Sequence, residues 1–234
     1  MARSTPKFRR AHHRLIADLL RSIDSEFLLS AGCFFGGGTQ LAMSLGEYRE
    51  SRDIDFLCSR RAGFRALRET VTNRSLGAVF RAPPKLARDV RTDRDGIRTF
   101  LVADGVRLKF EILFESRIDL AGSVDRRLVV PVLEPEHAVA EKLLANADRG
   151  LDESTLSRDL VDLAFAVVSY GKPTLDAGIG IAEQAYGTAV RHYLGSSLRM
   201  FQEQRSRATA CLKSLNVEDT STLRKGLRAL RAFV

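Results

Sequence analysis

The stretch Gly36-Gly37-Gly38-Thr39, followed by Asp53-Ile54-Asp55-Phe56-Leu57, is the most informative part of this 234-residue sequence. An apolar run over residues 27–35 precedes the glycines and predicts a strand, and residues 39–45 predict a short apolar helix. Glycine lets a backbone approach a ligand closely, and the start of a helix presents free N–H groups. The glycine segment therefore predicts a phosphate-binding turn.

Two acidic residues, Asp53 and Asp55, lie in a segment that predicts a strand over residues 53–57. Because side chains alternate along a strand, both carboxylates are expected on one face, with Ile54 and Phe56 on the other. Two carboxylates beside a phosphate-binding turn are typical of a Mg²⁺ site that substrate phosphates complete. Each motif alone has a structural explanation, a turn or a solvated strand edge, but their order along the chain is more specific.

That order, ending in Arg49-x-Ser51-x-Asp53-x-Asp55, resembles the nucleotidyltransferase family that includes the AbiEii/AbiGii-type toxins, within the DNA-polymerase-β-like superfamily. Glu141-Lys142-Leu143-Leu144-Ala145 is similar to the EKLLA helix of that family. Residues 158–163, Arg-Asp-Leu-Val-Asp-Leu, are similar to its RDxxDL segment. The resemblance covers about residues 30–170 in pieces.

The resemblance implies a nucleotidyltransferase that uses an NTP and Mg²⁺ or Mn²⁺, with three sets of site residues. The catalytic set is Asp53, Asp55, Lys142 and Asp159. The set that binds the nucleotide is Gly37, Gly38, Thr39, Arg49 and Ser51. The set that holds two metal ions is Asp53, Asp55 and Glu111. In this scheme Lys142 neutralises triphosphate charge and Asp159 orients Lys142 or the acceptor, since a buried charge needs a partner.

Two of these assignments have alternatives. Arg49 has the charge to neutralise a triphosphate, but it has equal reason to pair with a neighbouring carboxylate. Glu111 lies in a predicted strand over residues 106–114, suitably placed as a third acidic group beside Asp55. A cross-strand salt bridge from Glu111 to Lys109 or Arg98 is the competing interpretation.

The charge of the chain favours a polyanionic partner. The net charge is +8 and the isoelectric point about 9.8. Residues 1–134 contain 24 Lys+Arg and 17 Asp+Glu, a net +7, and residues 135–234 contain 13 and 12, a net +1. The excess therefore lies in the half with the glycine turn, which favours nucleic acid or nucleotide. The competing explanation is compositional, because 30 arginines against 7 lysines are typical of a GC-rich genome.

Three functions follow as hypotheses. The first is nucleotide addition to an RNA, with the tRNA 3′ end favoured, by the toxin of a toxin–antitoxin or phage-defence system with a cognate antitoxin. The second is adenylyl transfer to a small molecule such as an aminoglycoside, or to a protein side chain. The third is a non-catalytic nucleotide-binding module, which retention of both aspartates and Lys142 disfavours.

The predicted fold is α/β (α+β), a small mixed sheet flanked by helices and followed by an all-helical portion. The predicted domains are 1–134 and 135–234, with the second contributing to the active-site cleft. Asp104-Gly105 predicts a two-residue hairpin, and residues 128–133 predict a last strand. The three cysteines are widely spaced and are expected as reduced core residues. No apolar signal core or membrane span is present, so we expect a cytoplasmic protein without membrane contact.

Overall fold

The computed structural model of the protein describes residues 8–234, which form two compact units. The first unit comprises the described residues up to Met43 together with Ser51–Glu134. The second comprises Ser44–Glu50 together with Pro135–Val234. The chain therefore leaves the first unit for one short segment, which follows the glycine turn, and then returns to it.

Seven strands of the described residues form one mixed sheet in the first unit. In chain order they are β1 (Cys33–Gly36), β2 (Ile54–Cys58), β3 (Arg91–Thr92), β4 (Gly96–Ala103), β5 (Val106–Phe114), β6 (Gly122–Val124) and β7 (Pro131–Leu133). Their order across the sheet is β3-β4-β5-β2-β1-β7-β6. β2 lies at the centre, antiparallel to β1 and parallel to β5. The predicted mixed sheet is confirmed.

Four α-helices accompany the sheet: α1 (Ala11–Arg21), α2 (Ser25–Ala31), α3 (Gly37–Ser44) and α4 (Arg61–Thr70). One apolar core joins this unit, and the fully buried rings of Phe35, Phe56 and Phe110 form its centre. Phe56 contacts both other rings, at centroid distances of 5.4 and 6.0 Å. Since Phe56 lies between Asp55 and Leu57 on β2, this packing fixes the strand that bears the acidic pair.

The predicted strand over residues 27–35 is wrong in its first part, which is helix α2. Asp24 caps α2 by accepting a hydrogen bond from the Phe27 backbone N–H, and Gly32 ends it in the left-handed region at φ 66°. Only Cys33–Gly36 is extended. A continuous apolar run does not distinguish a short buried helix from a strand, and here the caps on either side decide.

The hairpin prediction is confirmed, whereas the last predicted strand is shorter than expected. Asp104 and Gly105 both have positive φ, 46° and 76°, as the tight turn between β4 and β5 requires. Of residues 128–133 only Pro131–Leu133 is a strand, because Val129 turns the backbone at φ 57° and donates its N–H to the carbonyl of Asp125. Strand β6, which pairs with β7, was not predicted.

The second unit is helical, as predicted for this part of the chain. Its α-helices are α5 (Pro135–Arg149), α6 (Arg158–Tyr170), α7 (Lys172–Tyr186), α8 (Ala189–Glu203), α9 (Arg205–Ser214) and α10 (Thr220–Leu230). Helix α6 begins at Arg158, shortly after a 3₁₀ turn over Glu153–Thr155. Gly226 lets α10 approach α6 closely, since a Cβ there would lie 2.0 Å from the carbonyl oxygen of Ala164.

The cysteines are free and buried, as predicted. Cys33 and Cys58 are directly opposed in the β1–β2 ladder, and Cys211 lies in α9. Burial raises the pKa of Cys58 to about 11 and that of Cys211 to about 12. No helix within residues 8–234 is long and apolar enough to cross a membrane.

Candidate active site

The glycine turn and the acidic strand meet at Gly37 and Asp55. Gly36, the last residue of β1, pairs with Asp55 of β2, and Gly37 then opens α3 at φ +71°. A Cβ at Gly37 would lie 2.9 Å from Oδ2 of Asp55 and 3.3 Å from its Cβ. Only glycine tolerates both the positive φ and this approach. The Asp55 carboxylate therefore lies directly against the first residue of the helix.

Asp53 and Asp55 have the alternation that the sequence predicts. Both are partly exposed, whereas Ile54 and Phe56 are buried in the core. The first turn of α3, which includes Gly38, contains no acidic residue. A helix start of this kind favours an anion through its N–H groups. The first unit thus presents two carboxylates and an anion-binding helix start at adjoining positions.

Thr39 and Ser51 connect α3 to the segment that leads into the acidic strand. The buried Thr39 hydroxyl donates a hydrogen bond to Oγ of Ser51 at 2.7 Å. Residues 44–50, which lie between them in sequence, belong to the second unit. The hydrogen bond therefore links two parts of the first unit, one just before residues 44–50 and one just after them.

Glu111 lies on the neighbouring strand, in register with Asp55 across the parallel β2–β5 ladder. Its carboxylate contacts the Lys109 ammonium at 2.5 Å and Nε of Arg98 at 3.4 Å. The salt bridges that the sequence offered as the alternative are therefore present. Among the described residues, no three His, Cys, Asp or Glu side chains converge as a metal-ligand group.

The acidic pair fits Mg²⁺ or Mn²⁺ as a site of few protein ligands. Its donors are carboxylate oxygens: Asp55 lies in β2 beside the start of α3, Asp53 directly precedes β2, and both are partly exposed. Mg²⁺ is commonly held by one or two carboxylates, with waters and substrate phosphates as its other ligands. The residues present therefore suit a cation that arrives with a nucleotide more than an all-protein metal cage.

The second unit contains a buried network of charged side chains centred on Lys142. Lys142 Nζ lies 2.9 Å from Oδ1 of Asp159 and 2.7 Å from Oδ2 of Asp162. Arg49 contacts both carboxylate oxygens of Asp162, at 2.6 and 3.0 Å. Arg149 contacts both oxygens of Asp159, at 2.8 and 3.1 Å. The predicted pairing of Lys142 with Asp159 is present, and a second aspartate shares the same ammonium.

Tyr48 completes the network from the segment 44–50. Its hydroxyl donates to Oδ1 of Asp162 at 2.6 Å, and its ring stacks on Phe165 at a centroid distance of 4.2 Å. Burial and the neighbouring Asp162 raise the pKa of Tyr48 well above its usual value, so the hydroxyl stays a donor. Residues 44–50 therefore contribute both a neutral and a charged donor to Asp162.

All of the charged groups in this network stay ionised at neutral pH. Burial acts to raise the pKa of Asp159 and of Asp162, but the neighbouring cations outweigh it and hold both below their ordinary values. Burial acts to lower the pKa of Lys142, and the two aspartates outweigh it, so that pKa is raised. Three cations, Arg49, Lys142 and Arg149, thus face two anions.

Of the two interpretations of Arg49, the structure supports pairing with a carboxylate. The Arg49 side chain is 5 % exposed, and Asp162 binds its guanidinium group. Sequence reasoning missed the contributions of Tyr48 and Arg149 and the shared hold of Asp162 on Lys142. The spacing of Asp159 and Asp162 on α6, and of Lys142 and Arg149 on α5, was the available signal. Residues three or seven apart lie on one side of a helix, so each pair is placed to meet a common partner.

Comparison with known proteins gives the family. The family described as "Nucleotidyl transferase AbiEii toxin, Type IV TA system" matches residues 18–229. None of the curated proteins matches the chain. Two solved structures from Helicobacter pylori share the fold. The first is a candidate nucleotidyltransferase, with a TM-score of 0.57, 16 % identity and coverage of 96 % of this chain and 95 % of that chain. The second is JHP933, with a TM-score of 0.55, 17 % identity and coverage of 96 % of this chain and 92 % of that chain. The chain is therefore a nucleotidyltransferase that belongs to the AbiEii toxin family.

Proposed function

We propose that this protein transfers a nucleotide from an NTP to an RNA acceptor, the 3′ end of tRNA in particular, in a reaction that depends on Mg²⁺ or Mn²⁺. The observation on which this rests is the Asp55 carboxylate against Gly37 at the start of α3, with the partly exposed Asp53 directly before β2. Cation-binding and phosphate-binding groups then adjoin, as a metal-bound triphosphate requires.

In this proposal the backbone N–H groups of Gly37, Gly38 and Thr39 bind the terminal phosphates of the NTP. Asp53 and Asp55, with Glu111 as their neighbour, hold the cations, and a bound divalent cation supplies charge neutralisation and a more acidic acceptor hydroxyl. Ser51 keeps the Thr39 hydroxyl in place. The chain's own contribution is to hold phosphate and acceptor in line, which is most of the catalysis in phosphoryl-group transfer.

To Lys142 we assign the role that the family resemblance implies, which is to neutralise the charge of the triphosphate. Asp159 and Asp162 each have an arginine partner besides Lys142, so neither carboxylate depends on the lysine alone. A buried ammonium held by two carboxylates is fixed in position and stays charged. In this proposal Asp159 positions the Lys142 ammonium. Arg49 contributes indirectly, because it binds Asp162, which also contacts Lys142.

The acceptor is assigned to RNA because of charge. The first 134 residues have a net charge of +7, and a polyanion gains from such a surface, whereas a cationic aminoglycoside does not. Membership of a toxin family of type IV toxin–antitoxin systems implies an antitoxin as a further partner. Nucleotide addition to tRNA would stop translation, which is a direct route to toxicity.

The test is incubation of the protein with each labelled NTP and Mg²⁺, together with total tRNA, total cell protein or an aminoglycoside. Label in the tRNA fraction is the expected result, and label in either other fraction would overturn the RNA assignment. Asp53→Ala should abolish labelling without unfolding the protein. Asp89→Ala, which removes an exposed aspartate of the same unit, is the matched control and should keep full activity.

A further inference from the structure

Residues 135–234 have a net charge of only +1, but their acidic and basic residues lie in separate segments. Residues 135–188 contain four Lys+Arg and nine Asp+Glu, a net −5. Residues 189–234 contain nine and three, a net +6. The C-terminal helices are therefore as strongly basic as the first half of the chain, in about a third of its length. Such a concentration of one sign points to an anionic partner.

Part of this charge lines a cavity of about 490 Å³ within the second unit. Its polar lining consists of three arginines, a histidine and a glutamine: Arg191, Arg199, Arg231, His192 and Gln202. Gly195, Leu198 and Val234 supply the apolar part. Most of these residues recur on one side of α8, and the remainder follow α10. No acidic side chain belongs to the lining within the described residues.

Two of the three guanidinium groups are available to a ligand. Arg191 is engaged by Glu183 at 2.7 Å and by the carbonyl oxygen of Phe233 at 3.1 Å. Arg199 is exposed and contacts only the neutral Ser196 hydroxyl, at 3.2 Å, and Arg231 is exposed as well. Within the part of the chain that the structure describes, neither Arg199 nor Arg231 pairs with a carboxylate side chain.

The chemistry of this lining suits phosphodiester groups. A guanidinium presents parallel N–H donors that match two oxygens of a phosphate. The exposed cations of α10, Arg224, Lys225 and Arg228, continue the positive surface beyond the cavity, as a ligand with repeating charge requires. The concave, partly apolar lining accepts a sugar or base beside the phosphate. These features favour a nucleic-acid strand over an acidic peptide.

We propose that this cavity binds the sugar–phosphate backbone of the RNA acceptor. The proposal rests on RNA being the acceptor, and it adds a second contact surface, built from α8 and α10, to the site at the acidic pair. Binding here needs neither NTP nor divalent cation. Arg199 and Arg231 are its principal phosphate contacts.

The test is equilibrium binding of a fluorescent tRNA without NTP or divalent cation, at several salt concentrations. Arg199→Ala/Arg231→Ala should weaken binding about tenfold or more and reduce the slope of log K against log salt by about 1 to 2, as expected for two lost phosphate contacts. The charge-matched control is Arg205→Ala/Lys213→Ala, which removes two exposed cations of the same basic segment outside the lining. It should retain affinity within about threefold, by the same electrostatic reasoning.

Equal losses in the two double variants would show diffuse charge and would overturn the cavity assignment. So would unchanged binding by Arg199→Ala/Arg231→Ala, or tighter binding of poly-glutamate than of tRNA, which would indicate an acidic protein partner. A protein that binds tRNA at this cavity without labelling it would refute the proposed transfer and leave this inference standing.

Discussion

Replacing Lys142 should abolish most of the transfer activity but lower the stability only slightly, because both aspartates that bind Lys142 also bind an arginine. Lys142→Met keeps the aliphatic volume, and Asp159 and Asp162 still have Arg149 and Arg49 as partners. The variant loses two charge-assisted contacts, at 2.9 and 2.7 Å, but it no longer buries an ammonium group. Since apolar replacement of a buried ion is often close to neutral, we expect a loss of about 1–2 kcal/mol in unfolding free energy.

Asp162→Asn is the contrasting variant. It removes the charge that Arg49, Lys142 and Tyr48 share, and it leaves three cations facing the single carboxylate of Asp159. Breaking a buried ion pair from one side costs about 3–5 kcal/mol. For a chain of this size that corresponds to a fall in melting temperature of about 6–20 °C, against about 2–8 °C for Lys142→Met.

The two variants are compared by thermal unfolding, followed by circular dichroism, and by transfer of labelled nucleotide to tRNA. Lys142→Met should lose about 100-fold or more in turnover, the range for one electrostatic contact to a reacting group. Lys172→Met, an exposed lysine of the same unit, should change neither quantity. If Lys142→Met melted as low as Asp162→Asn, or if it kept its turnover, the ammonium would be structural and the reasoning refuted.

Three further predictions concern other parts of the chain. Gly37→Ala and Gly105→Ala should each lower the free energy of unfolding by about 1–2 kcal/mol, because both positions have positive φ. Only Gly37→Ala should lose transfer activity, because its Cβ would meet Asp55. Equal activity in the two variants would refute the importance of this contact. Glu111→Gln should raise the Mg²⁺ concentration for half-maximal transfer about tenfold or more, and a change in melting alone would make Glu111 only a salt-bridge partner. At pH 8, a thiol reagent should label no cysteine of the folded protein and all three in urea, because burial raises the pKa of Cys58 to about 11; rapid labelling of the folded protein would contradict this.

The features that could be predicted from sequence are those that local patterns determine. The alternation over residues 53–56 predicts partly exposed aspartates and a buried Ile54 and Phe56, as the structure has them, although β2 begins only at Ile54 and Leu57 is buried as well. Asp104-Gly105 predicts its hairpin because both positions need positive φ. The apolar run over residues 27–35 failed because period alone does not identify a seven-residue helix, and the caps at Asp24 and Gly32 are single-residue signals.

The charged network was predictable only in part, for a reason of sequence distance. The resemblance to the EKLLA and RDxxDL segments brought Lys142 and Asp159 to one site, and the rule that a buried charge needs a partner paired them. Arg49 and Tyr48 lie 113 and 114 residues from Asp162, and no local pattern connects positions so far apart. Sequence therefore identified the lysine but not the number of its partners.

The number of partners that Lys142 and its aspartates have determines whether the lysine is needed for the charge balance of the network. With Asp159 as its only partner, Lys142 would form a neutral pair, and its removal would leave an unpaired buried carboxylate. Since Asp159 and Asp162 are each bound by an arginine as well, both aspartates keep a cationic partner when the ammonium is removed. The same aspartates keep Lys142 protonated, since they outweigh the burial that acts to lower its pKa. This supports our proposal that Lys142 acts on the triphosphate, because the two aspartates that position the lysine each have a second cationic partner.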